Sequence, residues 1–107
     1  MVARMKPFVD LEGASGRSYR FQLWRDGEAH RPIAGNYACV REEGGAIAVL
    51  GLGVTTDLSR CREALAKLSP PGGAELYTRL NVSRGAREAE HQDLVARYDP
   101  AFVSQEV

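Results

Sequence analysis

The longest unbroken apolar run in the chain is AIAVLGLGV, Ala46–Val54, nine residues. A bilayer-spanning helix needs ~20, so this run is too short to cross one. Bounded by turn signals, it reads as a strand that is apolar on both faces and the most buried of the chain. Glu42-Glu43-Gly44-Gly45 precedes it as a hairpin turn from an earlier strand, IAGNYACVRE. Thr56 or Asp57 follows, with a side-chain oxygen suited to capping a helix. The centre of the fold is therefore a hairpin that feeds a helix.

The flanking segments extend this pattern. Leu58, Cys61, Leu65 and Leu68 share one helical face, and SPPGG stops that helix because proline cannot continue it. AELYTRLNV alternates Leu76, Thr78 and Leu80 with Tyr77, Arg79 and Asn81, the period of a strand. Ser83 or Gly85 opens a last helix, His91, Leu94, Val95 and Tyr98 form one of its faces, and YDP ends it. AFVSQEV reads as a tail. Upstream, PFVDLEGASGRSYRFQLWR reads as a hairpin turning at GASG, with Tyr19, Phe21 and Leu23 opposite Arg20, Gln22 and Trp24. DGEAHRP is a loop. Trp24 either packs on a helix or marks a contact surface. An exposed sheet edge at this hairpin favours a homodimer by strand pairing.

These readings give one α/β (α+β) domain, a small, mainly antiparallel sheet with two helices. The 107 residues suit a single domain. Fourteen basic residues balance fourteen acidic ones, so attraction to DNA, RNA or a membrane has to come from a local patch. Twelve of the basic residues are arginine, which suits planar contacts to phosphate or carboxylate. Cys39 and Cys61 make no disulfide framework, and MVARMKPFV has no apolar core of a signal peptide. The expected compartment is the cytoplasm, with no membrane partner.

Three short words in this order resemble the GIY-YIG nuclease superfamily. Gly35-Asn36-Tyr37 matches its first motif, and Gly51-Leu52-Gly53 lies where YIG belongs. VTTDLSR and LVARYDPAFV resemble the segments that follow YIG and close the family's domain. The resemblance covers residues 35–103 and makes residues 1–30 an N-terminal hairpin extension. It implies a β-β-α-β-α core and a site of two tyrosines, an arginine, a metal-holding glutamate and an asparagine. In that chemistry a divalent ion and the arginine stabilise charge on the phosphate. Matched residue by residue, those positions are Tyr37, Gly51, Cys61, His91 and Val103. Only the first retains the family residue, so no catalytic residue is expected. A hard Mg²⁺ or Mn²⁺ ion wants oxygen ligands, which His91 does not offer. No cofactor or metal is therefore expected unless the site has moved.

The leading expectation is a catalytically inactive binding or interaction module, with nucleic acid the ligand its ancestry implies. The first alternative is a metal-dependent DNA endonuclease rebuilt on Tyr37, Glu88 and Arg60 or Arg62, with Glu88 one turn before His91 as the best substitute. The second is a structural domain that binds another protein. A basic face of Arg60, Arg62, Arg79, Arg84 and Arg87, with Tyr77 to stack on a base, is the candidate nucleic-acid surface. A Cys61–His91 catalytic pair in one cleft beside Tyr37 and a zinc site from Cys39, Cys61, His30 and His91 are weaker readings. Gly51-Leu52-Gly53 lacks the third glycine of a dinucleotide loop, so it is better read as a strand–helix joint.

Overall fold

The computed structural model describes residues 6–67 and 72–104. The elements are β1 (Phe8–Glu12), β2 (Ser18–Leu23), β3 (Gly35–Glu43), β4 (Ala46–Thr55), a 3₁₀ turn (Leu58–Arg60), α1 (Cys61–Ala66), β5 (Glu75–Leu80), α2 (Arg84–Tyr98) and β6 (Phe102–Ser104). The chain is an α+β domain with two helices. Its sheet runs β1-β2-β5-β3-β4-β6, antiparallel throughout except where β6 lies parallel to β4. The segment read as a tail is thus in part a strand. The N-terminal hairpin continues the same sheet through pairing of β2 with β5.

Local chemistry accounts for most element boundaries. Glu43 pairs with Ala46 across Gly44 and Gly45, both at positive φ, 57° and 84°. A two-residue hairpin loop needs positive φ at both positions, which glycine supplies without a steric penalty. The Asp57 carboxylate accepts from the Ser59 amide at 3.0 Å and caps the 3₁₀ turn. The helix expected over 58–68 therefore begins as 3₁₀ and becomes α-helical at Cys61; Leu68 and most of SPPGG lie outside the described residues. Ser83 caps α2 through the Ala86 amide, and Asp99 ends it in the left-handed region at φ 42°.

Strand alternation sorts the core into two layers. On one face Val9, Leu11, Phe21, Ala38, Val40, Leu52 and Tyr77 pack with Leu94 of α2. On the other Trp24, Tyr37, Cys39 and Leu76 pack with Leu58, Cys61 and Leu65. A bulge between β3 and β4 keeps both layers filled. Cys39 pairs with Gly51 but Val40 with Val49, so Leu50 is the extra residue. Val49 then turns to the α2 layer and Leu50 to the α1 layer.

The buried strand differs from the one expected. β4 is exposed or half-exposed from Ala46 to Leu50, whereas β3 is buried from Gly35 to Val40. The reason is position. β3 is paired with both β4 and β5 from Gly35 to Val40, while β6 pairs with β4 only at Gly51–Gly53 and leaves Ala46–Leu50 on the open edge. Trp24 is buried beside α1, with its indole N–H donating to the Glu28 carbonyl at 2.7 Å.

Candidate functional site

Tyr37, Gly51 and Cys61 converge on the α1 side of the sheet. β3 and β4 place Tyr37 opposite Gly53 and Cys39 opposite Gly51. A Cβ on Gly53 would fall inside the Tyr37 ring, which explains one glycine of Gly51-Leu52-Gly53. The segment is paired on both sides within a strand and forms no phosphate-binding loop. Gly35 is also sterically required, because a Cβ there would strike the Arg79 carbonyl oxygen and Leu58.

The chemistry of this layer is apolar. Tyr37 is 3% exposed and packs with Trp24, Cys39, Leu58, Cys61, Leu65 and Leu76. Burial pushes the Cys61 thiol up to about 12. The Cys39 thiol is also raised, first by burial and then by Glu75. A thiol so disfavoured as thiolate is a small core group rather than a nucleophile.

His91 does not join them. It lies on the buried face of α2 with Arg87 and Leu94, and Leu94 packs in the opposite layer. The sheet therefore stands between Cys61 and His91, and the expected single cleft does not form. His91 is 4% exposed, its Nε2 has no hydrogen-bond partner among the described residues, and burial lowers its pKa. Val103 sits at the outer edge in β6, paired with Leu52. Among the described residues no group of three or more His, Cys, Asp or Glu side chains is placed to hold a metal ion.

The substitute residues are committed elsewhere. Glu88 pairs with Arg84 at 3.2 Å on the helix surface, while Arg87 occupies the buried position one turn before His91. Arg60 pairs with Asp57 at 3.6 Å. Arg62 stacks on Trp24 at 4.5 Å, donates to the Trp24 carbonyl and pairs with Asp26 at 2.7 Å. Glu90 pairs with Arg79 at 2.7 Å.

The arginine face is likewise altered. Tyr77 is 0% exposed and its hydroxyl donates to the Lys6 carbonyl, so it presents no ring for a base. Arg87 is buried and donates to the Val82 carbonyl. Arg60, Arg62, Arg79 and Arg84 each face a carboxylate. Exposed pairs of this kind leave little net field for a phosphate backbone.

A second concave surface lies where sequence patterning did not point. α1 covers only part of its face of the sheet. Over β2 and β5 a groove of about 560 Å³ stays open, flanked by the 24–31 loop. Phe8, Gln22, Thr78, Leu80, His30 and Arg31 contribute to its lining. Phe8 and Leu80 are 47% and 49% exposed. His30, read from sequence only as a weak zinc ligand, braces the loop. Its Nδ1 lies 2.9 Å from the Arg31 carbonyl, and its Nε2 lies 2.7 Å from the Thr78 hydroxyl. A carbonyl only accepts, so Nδ1 carries a hydrogen, and in the neutral ring Nε2 accepts from Thr78.

Comparison of the chain with family models, curated proteins and solved structures yields no match.

Proposed function

We propose that this chain is a catalytically inactive binding or interaction module on a β-β-α-β-α frame resembling that of the GIY-YIG nucleases. The observation that carries this reading is the burial of Tyr37, 3% exposed, in an apolar layer where Cys61 packs at the position matched to the family's arginine. Phosphodiester hydrolysis on such a frame needs a metal-holding carboxylate and a positive group at the reacting phosphate. Glu88 and Arg62, two of the candidate substitutes, are each held in an ion pair, Glu88 with Arg84 on the surface of α2 and Arg62 with Asp26 while it stacks on Trp24.

The test is incubation of the purified protein with linear and branched DNA in Mg²⁺ or Mn²⁺, beside a Glu88→Ala variant. Neither protein is expected to cut. Metal-dependent cleavage that disappears in the variant would overturn this reading in favour of a rebuilt nuclease site.

A further inference from the structure

The groove beside the 24–31 loop has the dimensions of a small-molecule site. Such sites span ~300–1,000 Å³ and combine apolar lining with a few placed polar groups; this groove has a volume of about 560 Å³ and is half open to solvent. Phe8 and Leu80 provide exposed apolar surface, with the Arg20 guanidinium 5.7 Å from the Phe8 ring centroid, and Gln22 and Thr78 provide polar groups.

Its charge is unbalanced at one residue. Arg20 is held by Asp10 at 3.1 Å, and Glu28 faces Arg25 at 3.9 Å. Arg31 is exposed, and its guanidinium has no ion pair or hydrogen bond among the described residues. Its backbone is nonetheless fixed. The Arg31 carbonyl accepts from His30 Nδ1 and from the Ile33 amide, both at 2.9 Å, and His30 is held in turn by Thr78 and lies against Trp24 at 4.8 Å between ring centroids. An uncompensated guanidinium on a braced loop, beside open apolar surface, is complementary to an anion with an apolar body.

We propose that this groove binds a small organic anion. A flat apolar body lies against Phe8 and Leu80, and its carboxylate, sulfonate or phosphate group is held by Arg31. This rests on the reading of the domain as a binding module. A polyanion fits less well, because Glu12, exposed on the same side of β1 as Phe8 and without an ion pair among the described residues, repels an extended phosphate chain.

The probe is 8-anilinonaphthalene-1-sulfonate, titrated by fluorescence into the full chain, with backbone amide shifts recorded by NMR. We expect saturable binding, with shifts concentrated at Phe8, Gln22, His30, Thr78 and Leu80. Arg31→Glu weakens binding by about tenfold or more, because it replaces a charge-assisted contact with a like charge. Phe8→Ala weakens it ~5-fold through lost apolar contact. The uncharged analogue N-phenyl-1-naphthylamine binds less tightly than the sulfonate. Both substituted side chains are exposed, and the same spectra verify that each variant is folded. Equal affinity for the sulfonate in wild type and Arg31→Glu, or shifts centred on α2, would overturn the assignment. So would displacement of the dye by a single-stranded oligonucleotide at micromolar concentration, in favour of a nucleic-acid site. DNA cleavage in the metal assay bears on the inactive-module reading alone, and loss of the Arg31 dependence bears on the groove alone.

Discussion

Gly53 carries the Tyr37 ring directly over its backbone. Gly53→Ala forces one of two buried, paired strands to shift, and overpacking of this kind costs ~1–3 kcal/mol. Chemical denaturation will read that loss as a lower midpoint with an unchanged slope. His91 acts through charge rather than volume. Its folded pKa is lowered by burial, so the unfolded chain takes up the proton first as pH falls. Stability is full above the unfolded histidine value of ~6.5 and declines from there toward the lower folded value. His91→Leu is expected to remove that component, seen as a flatter dependence of the unfolding midpoint on pH between neutrality and mild acid. The sequence placed His91 on the face of the last helix that carries Leu94 and read Gly51-Leu52-Gly53 as a strand–helix joint, but it did not show which side chains each meets, because what each touches is distant in sequence.

Asp93 joins the N-terminal hairpin to α2. Its carboxylate accepts from the Ser15 amide at 2.8 Å, the Ser15 hydroxyl at 2.7 Å and the Tyr19 hydroxyl at 2.7 Å. The Ser15 and Tyr19 hydrogen bonds hold its pKa below the ordinary carboxylate value. Gly13 in the same turn has no room for a Cβ against that carboxylate. Asp93→Ala is expected to release the turn, with faster hydrogen exchange at Gly13–Arg17 while the β3–β4 amides stay protected. In wild type the tether's contribution to stability is full above pH ~3.9, the unfolded aspartate value, and is lost as pH falls from there through the lower folded value, because the unfolded chain takes up the proton first. Sequence patterning found the hairpin and its turn residues. It gave no sign that the hairpin's anchor lies 78 positions away in α2.

The domain as a whole is one sheet with unequal cover. α2 backs the face that carries Phe21, Ala38 and Tyr77, while the short α1 covers only the part around Tyr37 and Trp24. The uncovered remainder is the groove over β2 and β5. This asymmetry locates both functional readings. Where α1 covers the sheet, Tyr37, Gly51 and Cys61 are packed shut. Where it does not, Phe8, Leu80 and Arg31 face solvent. The cleavage assay tests the closed region and the dye titration the open one.

The sequence by itself determined the order of the elements from β1 to α2, the turn that ends in Gly44-Gly45, a start of α2 at Ser83 or Gly85 and the α+β class. Each depends on chemistry within a few residues: positive φ, a side-chain oxygen at a helix start, or a period of two against one near four. Only the tertiary structure decided that Cys61 and His91 lie on opposite sides of the sheet, that Tyr77 and Arg87 are buried and that Glu88 is on the surface. It also decided that the last strand lies beside β4 and that a groove remains over β2 and β5. Those outcomes depend on which sheet face each helix covers and how far it extends, and that is settled by contacts between residues far apart in the chain.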